Sequence, residues 1–276
     1  AAQEPKKDPP KPAKAPTTAD VPYGTHPRQV LDFYQAKSDS PTPVVFAIHG
    51  GGWVNGDKKG YAAAADKFNK AGVSVVAINY RLVTQADEAG VKPPVKWPLE
   101  DAARALQFVR SKAAEWNLDK TRIGATGGSA GGCSSLWLLY HDDLADPKSP
   151  DPVARESTRL TCAAVDGAQT TLDPKVLREW MPNYTYGGHA FAIVGPDGKR
   201  DAGFPTFHAK REELLPKINR YSPMAHVTKE DPPVFLFSGN GKAAAVKGES
   251  KEDPTHAPLL GAILMEKLQM EGVEGI

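Results

Sequence analysis

The sequence predicts an α/β fold with a mainly parallel central sheet and helices on both faces, and three observations carry that prediction. First, Pro43–Ile48 is a continuous apolar run, and Val73–Tyr80 and Pro233–Ser238 are short, mainly apolar segments, as strands buried on both faces are. Second, helix-patterned segments lie between such runs, and strand–helix alternation favours parallel pairing. Third, 276 residues with 40% hydrophobic and 24% charged side chains suit one large domain.

The elements follow in order. Residues 1–18 hold Ala, Pro and Lys with hardly a large apolar side chain, and burial there cannot offset the entropy of ordering. They read as a disordered tether, with the folded domain spanning 19–276. Val30–Tyr34 reads as an early strand. Tyr61–Ala71 reads as a helix stopped by Gly72, and Pro98–Trp116 carries Leu99, Ala102, Ala103, Leu106 and Val109 at helical spacing. Thr121–Thr126 reads as a strand, Ser129–Tyr140 as a helix, Leu160–Val165 as a strand and Pro258–Glu271 as a helix. Residues 174–230 break the rhythm. Rich in Trp, Tyr, Phe, Gly and Pro, they read as an insertion covering the carboxyl edge of the sheet.

Composition excludes several classes. Lys plus Arg is 34 against 33 for Asp plus Glu, so no basic excess exists for nucleic acid. No apolar run approaches the roughly 18 residues of a membrane span. No phosphate-binding GxxxxGK[ST] loop occurs. Cys133 and Cys162 match no metal-site spacing and read as two buried thiols. The chain opens Ala-Ala-Gln, which fits the mature end of an exported protein.

The chemistry lies in two glycine-rich motifs. Gly127-Gly128-Ser129-Ala130-Gly131 is a G-x-S-x-G pentapeptide between an expected strand and an expected helix. A sharp strand-to-helix turn puts Ser129 at its apex and leaves no room for flanking side chains. Taken alone, it would also fit a glycine-rich turn without catalysis. His49-Gly50-Gly51-Gly52-Trp53, after the first long apolar strand, is the second motif. Glycines there let backbone N–H groups face an oxyanion, so Gly51 and Gly52 are the expected donors, joined by the N–H of Ala130. His49 reads as a structural residue and Trp53 as a pocket wall.

With these motifs, Asn79-Tyr80-Arg81-Leu82, and Asp101 within Pro98–Arg104, the sequence resembles the hormone-sensitive-lipase-like and related bacterial esterases of the α/β-hydrolase superfamily, over about residues 20–276. The resemblance implies the α/β-hydrolase fold and hydrolysis of a small-molecule carboxylic ester by Ser129, without metal or organic cofactor. Asp101 and Arg104 read as an i,i+3 scaffold pair.

In this fold the triad runs Ser, acid, His along the chain. The acid belongs after the strand Val234–Phe237, where Asp253 is the choice and Glu249 and Glu252 are runners-up. Asp253 before Pro254 would equally cap a helix. The base is expected after a final strand, which Val273–Ile276 begins, yet no His follows His256. Either the base lies beyond Ile276, or His256 serves from the acid loop. His26, His141, His189, His208 and His226 read as surface or insertion residues. Trp180, Met181, Tyr184, Tyr186, Phe191, Phe204 and Phe207 are candidates for the pocket wall or for a plain core. Short acyl chains are the expected substrates. A non-catalytic binding protein and an amidase or peptidase are the rival readings.

Overall fold

The computed structural model describes residues 14–196, 198–239 and 246–276; most of the expected tether lies outside them. Among the described residues are seven strands: β1 (Thr18–Pro22), β2 (Val30–Tyr34), β3 (Thr42–Ile48), β4 (Ser74–Ile78), β5 (Leu118–Gly128), β6 (Cys162–Asp166) and β7 (Val234–Phe237). They form one sheet in the order β1-β2-β4-β3-β5-β6-β7. β2 pairs antiparallel with β1 and β4, and β4, β3, β5, β6 and β7 run parallel to their neighbours. At the far edge Ile276 N donates to Val234 O at 3.0 Å, so the last residues pair with β7 as expected.

Among the described residues, eight α-helices accompany the strands. α1 (Ala62–Lys70) joins β3 to β4; α2 (Val83–Glu88) and α3 (Lys96–Ser111) join β4 to β5; α4 (Ala130–Tyr140) joins β5 to β6. α5 (Pro174–Trp180), α6 (Phe204–Ala209) and α7 (Arg211–Tyr221) occupy the irregular stretch before β7, and α8 (Pro258–Glu271) follows it.

The strand order reverses between β3 and β5. The chain leaves β3 toward β4 and returns across it to β5, so right-handed crossovers place α1 and α3 on opposite faces. Packing follows from the two-residue period of the strands. Ala47, Val75 and Ala77 point toward Ala62 and Ala65 of α1. Phe46, Ile48, Val76 and Ile78 point the other way, into the core with Leu99 and Leu106 of α3 and Leu136 of α4. Loops leaving the carboxyl ends of β3 and β5 therefore meet at the reversal, where open α/β sheets bind ligands.

Burial falls off along the sheet. β4 is buried at every position, whereas β6 alternates exposed and buried and Phe235 and Phe237 of β7 are 48% and 55% exposed. Cys162 is accordingly exposed, a correction to the expected buried thiol; Cys133 is buried. Asp101 and Arg104 also do not pair. Asp101 is buried and receives a bidentate bond from Arg81, which lies over the Trp97 ring, while Arg104 reaches Asp151 at 2.5 Å. Helix spacing allowed the i,i+3 pair, but a buried carboxylate takes the partner that best offsets its desolvation.

Candidate active site

Ser129 sits where β5 turns into α4. Its backbone has φ 53° and ψ −125°, a strained conformation for a non-glycine residue. The neighbours must be small for a measurable reason. A Cβ on Gly127 would lie 2.7 Å from the Ile48 carbonyl, and one on Gly131 would collide with that same oxygen. Ser129 N donates to Asp166 O at 2.9 Å, tying the turn to β6.

Residues 49–53 form a loop in which every carbonyl is spoken for. Tyr80 donates its hydroxyl to His49 O at 2.8 Å. His49 Nδ1 donates to Gly50 O at 2.8 Å. Gly51 O accepts from Val54 N and Asn55 N, Gly52 O from His189 Nε2 at 2.9 Å, and Trp53 O from Val83 N. A peptide's N–H points opposite its carbonyl, so fixing the carbonyls fixes the donors. Gly51, Gly52 and Trp53 all have left-handed φ, at 96°, 61° and 58°. Among the described residues, no hydrogen bond uses the N–H of Gly51, Gly52 or Ala130. Ala130 opens α4, so its N–H has no partner within the helix.

His49 and His189 are both buried, and burial pushes each imidazole down to about 4. Both rings are therefore neutral near pH 7 and serve as hydrogen-bonding fixtures. His49 stacks on Tyr80 with ring centroids 4.2 Å apart and accepts from Arg28 Nη2 at 3.3 Å. Asn79 braces the loop further on, accepting from Lys58 N at 2.8 Å and donating to Asp57.

On the other side of Ser129, Asp253 caps a single 3₁₀ turn, Pro254–His256. The turn brings His256 Nδ1 to 2.7 Å from Asp253 Oδ2 and His256 Nε2 to 2.9 Å from Ser129 Oγ. Capping and the contact with the imidazole coexist, because the two carboxylate oxygens divide the work: Oδ1 takes the His256 N–H at 3.3 Å. Gln169 Nε2 holds Thr255 O at 2.8 Å, and His256 packs over Gly167. The turn stands near the surface, with side-chain exposures of 37% for His256 and 46% for Asp253. Neither runner-up reaches the imidazole; Glu249 accepts from Lys251 at 3.0 Å.

Two cavities meet at Ser129 and His256. One, of about 420 Å³, is bounded by Gly51, Gly52, Asn55, Tyr186, Arg200, Asp201, Asp253 and Thr255. The other, of about 260 Å³, is bounded by Gly128, Asp166, Gly167, Ser238 and Gly239. Of the seven candidate wall residues only Tyr186 borders either cavity. Met181, Tyr184, Phe191, Phe204 and Phe207 are buried core, with Phe191 stacked on Phe207 at 5.0 Å, and Trp180 packs at the edge of that core. Trp53 is likewise core, fully buried with its indole N–H on Ser134 Oγ at 3.0 Å. Sequence reasoning missed Asn55, Arg200, Asp201 and Thr255, which carry no motif. It also placed His189 without the bond to Gly52.

The arrangement has a definite chemical capability. A hydroxyl faces one imidazole nitrogen, a carboxylate faces the other, and unspent N–H groups converge from a loop and a helix start.

Comparison with known proteins bears on the fold and on the bond class of the relatives. The BD-FAE family model matches residues 31–165. The chain is 29% identical over 237 residues to the Mycobacterium tuberculosis protein named Probable carboxylic ester hydrolase LipM, covering 80% of this chain and 47% of that protein. It thus spans about half the length of that curated relative. Among solved structures, a truncated carbohydrate esterase from gut microbiota superposes with TM-score 0.67 at 20% identity, covering 98% of this chain and 88% of that one. Thermogutta terrifontis esterase 2, phosphonylated by sarin, superposes with TM-score 0.67 at 21% identity, covering 97% and 85%. Sheet order, the reversal between β3 and β5, and these superpositions show that the chain has the α/β-hydrolase fold.

Proposed function

We propose that the chain is a serine carboxylic-ester hydrolase acting on short-chain esters. The observation that carries the proposal is the 2.9 Å approach of His256 Nε2 to Ser129 Oγ, with Asp253 at 2.7 Å behind the ring. In this reading Ser129 Oγ attacks the ester carbonyl and passes its proton to His256 Nε2. The N–H groups of Gly51, Gly52 and Ala130 hold the oxyanion. The bond to the alcohol oxygen then breaks and His256 protonates the leaving alkoxide. Water enters, gives its proton to His256 and attacks the acyl-enzyme; Ser129 recovers its proton as the acid leaves. Asp253 orients the ring and stabilises its charged form.

The cavities support small substrates, being modest in volume. Relatives named esterase or carboxylic ester hydrolase support the bond class. A binding role drew its warrant from the apparent lack of a base, and the His256 contact removes that warrant.

Hydrolysis of p-nitrophenyl acetate, butyrate and decanoate, wild type against Ser129→Ala, tests the proposal. Turnover by the wild type that falls by about 10⁴-fold or more in the variant is expected, with acetate or butyrate preferred to decanoate. Equal rates for the two proteins would refute it.

A further inference from the structure

Gly52 is held by a residue 137 positions away in sequence: His189 Nε2 lies 2.9 Å from Gly52 O. We propose that His189 is a positioning residue of the oxyanion hole, holding the 52–53 peptide in the orientation that keeps the Gly52 carbonyl turned away from the N–H groups of Gly51 and Gly52; this rests on the esterase reading above.

The argument starts from strain. Trp53 has φ 58°, a left-handed conformation that a bulky side chain rarely adopts. Rotating the 52–53 peptide by half a turn, through ψ of Gly52 and φ of Trp53, would carry Trp53 back to an ordinary negative φ. Gly52 opposes the rotation very little, since it has no Cβ. The indole cannot prevent it from a distance, because Trp53 is fixed at its ring, on Ser134, rather than at its N–H. What such a flip would sacrifice is the bond to His189 and, with it, a buried carbonyl's partner. The carbonyl would also turn to the opposite side of the loop, and a carbonyl dipole beside Gly51 and Gly52 opposes the negative charge that those N–H groups would stabilise.

His189 is suited to this task. It is 4% exposed, packed edge-on against Tyr186 at 4.8 Å and near Trp53 at 6.4 Å. With Nε2 donating to a carbonyl, the neutral ring has its proton on Nε2, leaving Nδ1 an acceptor. Among the described residues Nδ1 has no partner. The ring thus makes one hydrogen bond, and that bond goes to the loop. The ring borders a cavity of about 250 Å³ that Ser129 does not border, so it cannot exchange protons with the substrate directly.

The test compares His189→Phe, which keeps a flat ring but no donor, with His189→Gln, whose amide can still donate. For both variants and the wild type, kcat and KM on p-nitrophenyl acetate, the inhibition constant of phenylboronic acid and the melting temperature are measured. Boronate bound to the serine occupies the oxyanion position as a tetrahedral anion. His189→Phe is expected to lower kcat about 10- to 100-fold with KM within about threefold, and to weaken boronate in proportion. His189→Gln is expected to recover most of both. A merely structural residue would change melting temperature without that split. If a folded His189→Phe keeps kcat within twofold, or if His189→Gln loses as much as His189→Phe at equal melting temperature, the inference fails while the esterase reading stands. If the wild type hydrolyses no ester, both fail together.

Discussion

The two sides of Ser129 are built in opposite ways. On one side, residues 49–53 are buried or half-buried, every carbonyl is bonded, and three consecutive residues hold left-handed φ. On the other, the proposed acid and base, Asp253 and His256, share one 3₁₀ turn and have side chains over a third exposed. The difference teaches where each half draws its precision. The buried loop is fixed by the fold around it, so its geometry and the protein's stability are one quantity. The exposed turn is fixed by its own Asp253 cap, the bond from Gln169, the packing of His256 over Gly167 and the contact of its ring with Ser129. It can be altered chemically with little consequence for folding.

That contrast can be broken most sharply at His256. His256→Ala is expected to lower kcat by about 10⁴-fold or more on p-nitrophenyl butyrate, while melting temperature moves by no more than a few degrees. Asp253→Asn should follow at about 10³- to 10⁴-fold, since it would leave the ring without its charged partner. A large loss of stability in either variant would show that the turn is as structural as the loop. Gly51→Ala is the converse case. Gly51 has φ 96°, and a Cβ there would collide with Asn55. Activity is expected to fall about 100-fold or more, and unfolding free energy by about 1–3 kcal/mol, so rate and stability fall together.

The same contrast explains how much the sequence disclosed. Glycines 50, 51, 127 and 131 announce the glycine loop and the serine turn because a Cβ at any of them would collide with backbone atoms. The sheet was legible because a strand buried on both faces, like β4, is apolar at nearly every position. β1 and α2 were not foreseen. β1 is an exposed edge strand with hardly an apolar side chain, and α2 is a six-residue helix too short for periodicity. His256 illustrates the harder limit. Nothing in Asp253-Pro-Thr-His says that the turn lands against Ser129, 127 residues away. Only the placement of β7 and α8 decides that. His189 lies beyond local reading for the same reason.

A smaller effect follows from the buried imidazoles. His49 and His189 take up a proton only near pH 4 when folded, against about 6.5 when unfolded. Between those values the unfolded chain holds more protons, so their contribution is complete above about pH 6.5 and is lost as pH falls toward 4. Each ring is worth up to roughly 3 kcal/mol over that window. Protonating carboxylates add a slope of the same sign below pH 5, so the informative quantity is a difference. The fall in melting temperature between pH 6.5 and 4 should be smaller in His189→Gln than in the wild type. Equal slopes would place the acid sensitivity elsewhere.

The smallest expected effect sharpens the exposed side. Glu249 and Glu252 occupy the same loop as Asp253 and carry the same charge, so proximity in sequence does not distinguish the three. Geometry does. Glu249 spends its carboxylate on Lys251, and Glu252 is exposed without reaching the imidazole, whereas Asp253 lies 2.7 Å from His256 Nδ1. Beyond direct contact, a solvent-exposed carboxylate is screened within about 10 Å at ordinary ionic strength. Glu249→Gln and Glu252→Gln should therefore change kcat/KM by less than about twofold, compared with about a thousandfold or more for Asp253→Asn. A large loss from either glutamate would mean that the loop rearranges during turnover and that the acid is chosen by motion, not by the resting turn.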